Sequence, residues 1–265
     1  MSIVLRKDPI LEAVCEFAFS SPDWDWTVPG LVYKKIKDRF PEKTEGRDIN
    51  FSIEQRADGV HPAASQTLGR MQFWSEGRKS LVQIGMNHLS VHSIRSYEGW
   101  PIFKDLIESV LRDYESEAPT SPVRAMSLRY INQMPFPPVP TKIEHLLKTV
   151  PQIPNSDDQQ WLSWFQQVEI SRPEKAAVLG VRSGYLPTMA QTVPVQDAGA
   201  TLVAEPPTIM LDLLFSHAGA KTIERSNVSS WLEMAHGEIE DMFFASVHSE
   251  YLKTFEPEVE NVDAS

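Results

Sequence analysis

Apolar residues recur every three or four positions through Trp100, Phe103, Leu106, Ile107, Val110, Leu111 and Tyr114, which places them on one stripe of an amphipathic helix. Pro101 suits the first turn of that helix, and Pro119 with Pro122 forbids its continuation. A second long run, Asn227 to Phe255, carries a stripe of Trp231, Met234, Ala235, Ile239, Met242, Phe243, Val247, Tyr251 and Leu252. Shorter helices are expected over Pro29 to Phe40, where Lys34, Lys35, Lys37 and Arg39 face away from Leu31, Val32 and Ile36, and over Lys142 to Thr149.

The remaining pattern has the period of strands. Ile10 to Phe19 sets Leu11, Ala13, Cys15 and Phe17 against Glu12 and Glu16, and Trp24 and Trp26 follow as lids over a core edge. Asn50–Gln55, Arg70–Glu76 and Ser80–Ile94 read as three further strands, the last two joined by a turn at Glu76-Gly77 and the third bent at Gly85. Arg56 to Gly69 is expected to be loop. After the proline break come a strand over Val123 to Asn132, a proline-dense loop over Pro135 to Pro140, and strands in Gln160–Arg172, Ala176–Arg182 and Thr208–Ser216. Ser183 to Pro207 exceeds the usual length of a connection and reads as a functional flap or a partly disordered loop.

Each half of the chain thus reads strand, helix, three strands, helix. The expected fold class is α+β, with two divergent β-α-β-β-β-α repeats, residues 1–120 and 121–256, and an acidic flexible tail at 257–265. Packed about a pseudo-twofold axis, such units give a curved antiparallel sheet with long helices on one face, a TATA-binding-protein-like saddle; a helix-grip cavity fold is the alternative.

Composition narrows the function. With 36 acidic against 25 basic side chains, the chain carries a formal charge of −11. That disfavours nucleic acid and anionic lipid and favours a basic protein partner. The single cysteine, Cys15, can form neither an internal disulfide nor a thiolate metal site by itself. There is no secretory cleavage pattern and no apolar run of membrane-spanning length. The expected location is the cytoplasm.

The segments DPILEAVCEFAF, PGLVYKKIKDRFP, QFWSEGRKSLVQIGMNHLSVH, SLRYINQMPFP and WLEMAHGEIEDMFF together resemble a sporadically distributed bacterial family of unknown function. The resemblance spans nearly the full chain and implies a bacterial or phage origin, with the patchy distribution of accessory genes in mobile elements or defence loci. It brings no catalytic residues with it.

Phosphate-cradling glycine loops, zinc-deaminase patterns and HExxH do not occur. His88 and His92 share one face of a strand, about 13 Å apart along it, too far to hold one zinc ion on a regular strand. With Ser90 between them they are candidates for a ligand- or partner-facing row, the alternative being the ordinary polarity of a sheet face. Arg124, Arg129, Tyr130 and Asn132 draw notice next, because Arg129 lies in an apolar strand and needs an acidic partner, for which Glu12 or Glu16 is the expected source, or an anionic ligand. His236 and Glu240, one helical turn apart, are a second-line metal pair. Cys15 has no activating neighbour in sequence.

The expectation is a non-enzymatic protein-binding module without cofactor, an accessory, immunity or antitoxin-like subunit that uses the sheet face and the flap. A small-molecule-binding protein or hydrolase with a pocket between sheet and helices, lined by His88, His92 and Arg129, is the alternative, so catalysis stays open. Nucleic-acid binding through the sheet face is a third reading, and a homodimer through the last helix stays open.

Overall fold

A computed structural model describes residues 2–56, 59–119, 122–137, 142–152, 162–187, 189–195 and 199–260. The first elements are β1 (Ser2–Leu5), β2 (Ile10–Ala18), α1 (Val28–Ile36), β3 (Glu42–Arg56), β4 (Gly59–Trp74), β5 (Ser80–Gly85), β6 (His88–Ile94) and α2 (Trp100–Glu117). There follow β7 (Ala125–Pro135), β8 (Trp164–Arg172), β9 (Ala177–Leu186), β10 (Met189–Val195), β11 (Gly199–Glu205) and β12 (Thr208–His217). The chain closes with α3 (Val228–Ser246), α4 (Ser249–Leu252) and β13 (Pro257–Glu260). This is an α+β protein with a large antiparallel sheet of nine strands in the order β3-β4-β5-β6-β2-β7-β12-β9-β8. Two small sheets pair β1 with β13 and β10 with β11.

Contacts divide the chain into two units, Val14–Ser127 with Ala220–Leu232, and Met1–Ala13 with Leu128–Gly219 and Glu233–Ser265. In the first unit the alternation of β4 to β6 sorts side chains onto two faces. Phe73, Val82, Ile84, Leu89 and Val91 are buried on one, while Gln72, Gln83 and Ser90 pair in register on the other. Helix α2 buries Phe103, Ile107, Val110, Leu111 and Tyr114, the stripe expected from the sequence. Arg39, just past α1, donates to Asp113 and Ser109 of α2, and Lys35 pairs with Glu117 at 3.2 Å. Trp24 is buried and its indole N–H donates to Tyr114 at 3.2 Å, whereas Trp26 is 41% exposed.

The second unit repeats the logic. Leu128, Tyr130, Asn132 and Met134 of β7, Leu179, Val181 and Ser183 of β9, and Ile209, Leu211, Leu213 and Phe215 of β12 are buried. Ala235, Ile239 and Phe243 of α3 are buried too, and each large apolar side chain so enclosed contributes about 2 kcal/mol. Two buried polar groups in this unit are satisfied by backbone: Asn132 donates to the carbonyl of Leu211 at 2.9 Å, and Ser183 to that of Thr149 at 2.8 Å.

Several expectations are corrected. The run Ser80–Ile94 is not one bent strand but the hairpin β5/β6, because Asn87 adopts φ 53°, a left-handed turn conformation that asparagine tolerates. Arg56 to Gly69 is mostly strand, β4 beginning at Gly59. Lys142–Thr149 yields only a 3-10 turn at Ile143–His145. The long helix expected to reach Phe255 ends at Ser246, where Leu146 to Lys148 bind the chain: Lys148 donates to Ser246, and His248 to Leu146. The flap Ser183–Pro207 holds the end of β9 and the hairpin β10/β11, whose Thr, Val and Leu residues suit strands. Pro257–Glu260 of the expected flexible tail pairs with β1; residues 261–265, and 138–140 of the proline loop, lie outside the described residues. Between α1 and α2 the chain places four strands, and between the Ile143–His145 turn and α3 five, where three were expected in each.

Candidate binding site

In the first unit, the turn between β5 and β6 builds one wall of a cleft. Gly85 ends β5 where a Cβ would lie 2.7 Å from the carbonyl oxygen of Gly69 on β4, so the close strand approach requires glycine. Asn87 then fastens the turn to the segment after β2. Its carbonyl accepts from Phe19 at 2.8 Å, its side-chain oxygen accepts from the Ser21 amide at 3.0 Å, and its side-chain nitrogen donates to the Ser21 carbonyl at 3.0 Å. Arg124, ahead of β7, is held by its backbone N–H on the carbonyl of Ala18 at 2.8 Å. The result is a cleft of about 580 Å³ lined by Ala18 to Pro22, Met86 to His88 and Arg124. Met86 is 67% exposed at its rim.

His88 lies 3.9 Å from Glu16, which in turn accepts from Ser127 at 3.3 Å. Burial lowers the His88 pKa below its ordinary value, Glu16 pulls the other way, and Arg70 and His92 lower it further. The cleft thus presents a neutral imidazole and a guanidinium, a donor-rich mouth with an apolar lip.

His92, two residues beyond Ser90 on the same strand face, does not open into this cleft. It terminates a hydrogen-bonded row across four strands. Trp74 donates to Thr44 at 3.2 Å, Thr44 to Gln72 at 3.0 Å, and Gln72 to Gln83 at 3.1 Å. Gln83 Nε2 and Ser90 Oγ then meet His92 Nε2 at 2.9 and 2.8 Å. An amide NH₂ can only donate, so His92 Nε2 is an acceptor in this row. Ser90 and His92 have the spacing of a nucleophile and its base, but they are buried, 1% and 7% exposed. The row is a satisfied polar network, which rigidifies the sheet.

The other candidates belong to the second unit. Arg129 donates through Nε and Nη2 to the two carboxylate oxygens of Asp212, at 2.7 and 2.6 Å, and Arg182 adds a contact at 3.2 Å. The carboxylate that receives Arg129 is therefore on β12, while Glu16 of the expected pair sits beside His88. Tyr130, one residue on, turns to the opposite sheet face, where its hydroxyl meets His236 Nδ1 of α3 at 3.0 Å. Burial lowers His236 to about 4, with Glu233 opposing, and raises Glu240, helped by Asp241. Among the described residues no three or more His, Cys, Asp or Glu side chains converge as a metal site. Cys15 is buried, and burial followed by the neighbouring Glu16 holds its thiol protonated.

Of the five sequence candidates, then, His88 and Arg124 share a cleft; His92, Arg129 and Tyr130 serve networks elsewhere. Asn87 and Asp212 carry as much of the arrangement as any of these and were not singled out. Asp212 had a signal, an acid inside the apolar run TIMLDLLFS. No protein-family model matches the chain, and the search of curated proteins finds no match. No described helix is long and apolar enough to cross a membrane.

Proposed function

We propose that this chain is a non-enzymatic protein-binding module whose cleft at the β5/β6 turn seats a loop of a basic partner. The observation that carries the reading is the make-up of that cleft. It offers an exposed thioether lip and two polar side chains, His88 and Arg124, while the Ser90–His92 pair, close enough for nucleophilic chemistry, is buried and does not line it. Donors of this kind take up the backbone carbonyls of an inserted loop, and Met86 packs against its side chains. The net charge of −11 draws a basic protein toward the chain. Two of the cations on the α1 face are already occupied by α2, which removes the clearest footprint for nucleic acid.

An accessory, immunity or antitoxin-like subunit acting in the cytoplasm is the role that suits these features, and a lone buried cysteine suits a reducing compartment. Two divergent repeats remain our account of the fold's origin, since α2 and α3 each follow a run of strands and each carries a tryptophan in its first turn.

The test is affinity capture of tagged wild type, M86D and R124E from a native host, with nuclease treatment throughout. A stoichiometric protein retained by wild type and lost from both variants supports the reading. Retention by both variants, or a chain that captures nothing, defeats it.

A further inference from the structure

The two edges of the nine-stranded sheet are protected very differently. Edge strand β3 opens with exposed Glu42, Lys43 and Glu45 and is bulged at Gly46/Arg47, the devices that keep a sheet from accepting a further strand. Edge strand β8, WFQQVEISR, has no lysine and no proline and pairs with β9 in one unbroken register. Among the described residues its one neighbour in the sheet is β9. Phe165 and Val168 are 61% and 50% exposed on its two faces.

We propose that β8 is a self-association edge, where a second copy of this chain adds its own β8 antiparallel. The occupant follows from the sequence of the strand. With a twofold axis normal to the sheet at Val168, every residue from Trp164 to Arg172 finds a partner, the only symmetric register that pairs the whole strand. Val168 then faces Val168 of the second copy and loses its exposure. Gln167 faces Glu169, a donor opposite an acceptor. The same couple already forms within one strand, where Gln167 donates to Glu169 at 3.2 Å. Arg172 faces Trp164, and no like charges oppose each other. Moving the axis by one residue toward the C-terminus sets Glu169 against itself and leaves the strand ends unpaired, so charge as well as length selects the Val168 register. A foreign strand would have no such reason to match this sequence.

Sedimentation velocity of the full chain over a concentration series is the experiment, repeated on V168K, with circular dichroism confirming that the variant is folded. The expected result is a mass moving from one chain to two with concentration for wild type, and one chain throughout for V168K. Cysteine crosslinking supplies an independent reading that does not depend on the lysine variant. At the axis, V168C places its Cβ about 5 Å from its copy, whereas I170C is displaced from its own copy by about 13 Å. V168C should therefore crosslink under mild oxidation and I170C should not, with buried Cys15 silent in both. A wild-type chain of single mass across the series overturns the proposal. So does a dimer that V168K leaves intact, or crosslinking at Ile170 in place of Val168.

Discussion

The charged group with most at stake is Asp212, 2% exposed and held by two guanidiniums. A buried carboxylate is tolerated only while its partners stay, and the bidentate grip of Arg129 is the better of the two. Arg129→Ala should lower unfolding free energy by about 3 kcal/mol, and Arg182→Ala by about 1 kcal/mol, read from urea denaturation. Equal losses would show that the fork geometry does not rank them. His236 gives a pH signature. Its folded value of about 4 lies below the ordinary 6.5 because burial disfavours the imidazolium, so the unfolded chain takes up the proton first. Stability from this group is complete above 6.5, declines as pH falls toward about 4, and is level below; the loss is at most about 3 kcal/mol. His88 and His217, both lowered chiefly by burial, add slope of the same sign. His236→Gln should flatten the decline in urea midpoints over that range without abolishing it. That Arg129 needed an acid was legible from its apolar strand. Which acid was not, because β7 and β12 are sheet neighbours brought together from 83 residues apart, and their pairing leaves no trace in either local pattern.

At the scale of elements, long helices were the most legible, since a stripe such as Phe103, Ile107, Val110, Leu111 and Tyr114 fixes both type and buried face. Breaks imposed from outside were not. Nothing in Ala245 to His248 stops a helix; the end of α3 is made by Leu146 to Lys148, which engage Ser246 and His248 through backbone bonds. The β5/β6 hairpin was hidden for a local reason, because alternation continues across Gly85, Met86 and Asn87 as it would in one strand. Asn87 decides the turn, with φ 53° and two side-chain bonds to Ser21. Asn87→Ala should cost about 2 kcal/mol, combining strain with two lost bonds, whereas Asn87→Gly relieves the strain and should cost about 1 kcal/mol. Thermal or urea unfolding ranks them. In both variants the Ser21 amide should exchange with solvent faster than in the native chain, and an unchanged rate would mean that Asn87 does not clamp the cleft wall.

For the molecule as a whole, the deciding quantity is its surplus of acid, −11 in 265 residues. Such a charge acts on encounter more than on the final contact: it concentrates basic partners over distances comparable to the Debye length, about 8 Å at physiological salt. On the proposed reading, release of a seated loop depends on the short-range contacts of Met86, His88 and Arg124 more than on the long-range field. Association of the partner identified by capture should therefore slow about tenfold between 50 and 500 mM salt, while its dissociation rate changes little. M86D should have the opposite effect, speeding dissociation while leaving the salt dependence of association in place. Surface-immobilised kinetics separate the two rates. Duplex DNA offered to the same chain at physiological salt should show no retardation in a gel, since the field that steers a basic protein repels phosphate. A partner whose association ignores salt, or a chain that shifts DNA, would remove the electrostatic argument for a basic protein and leave the cleft to be explained by some other ligand.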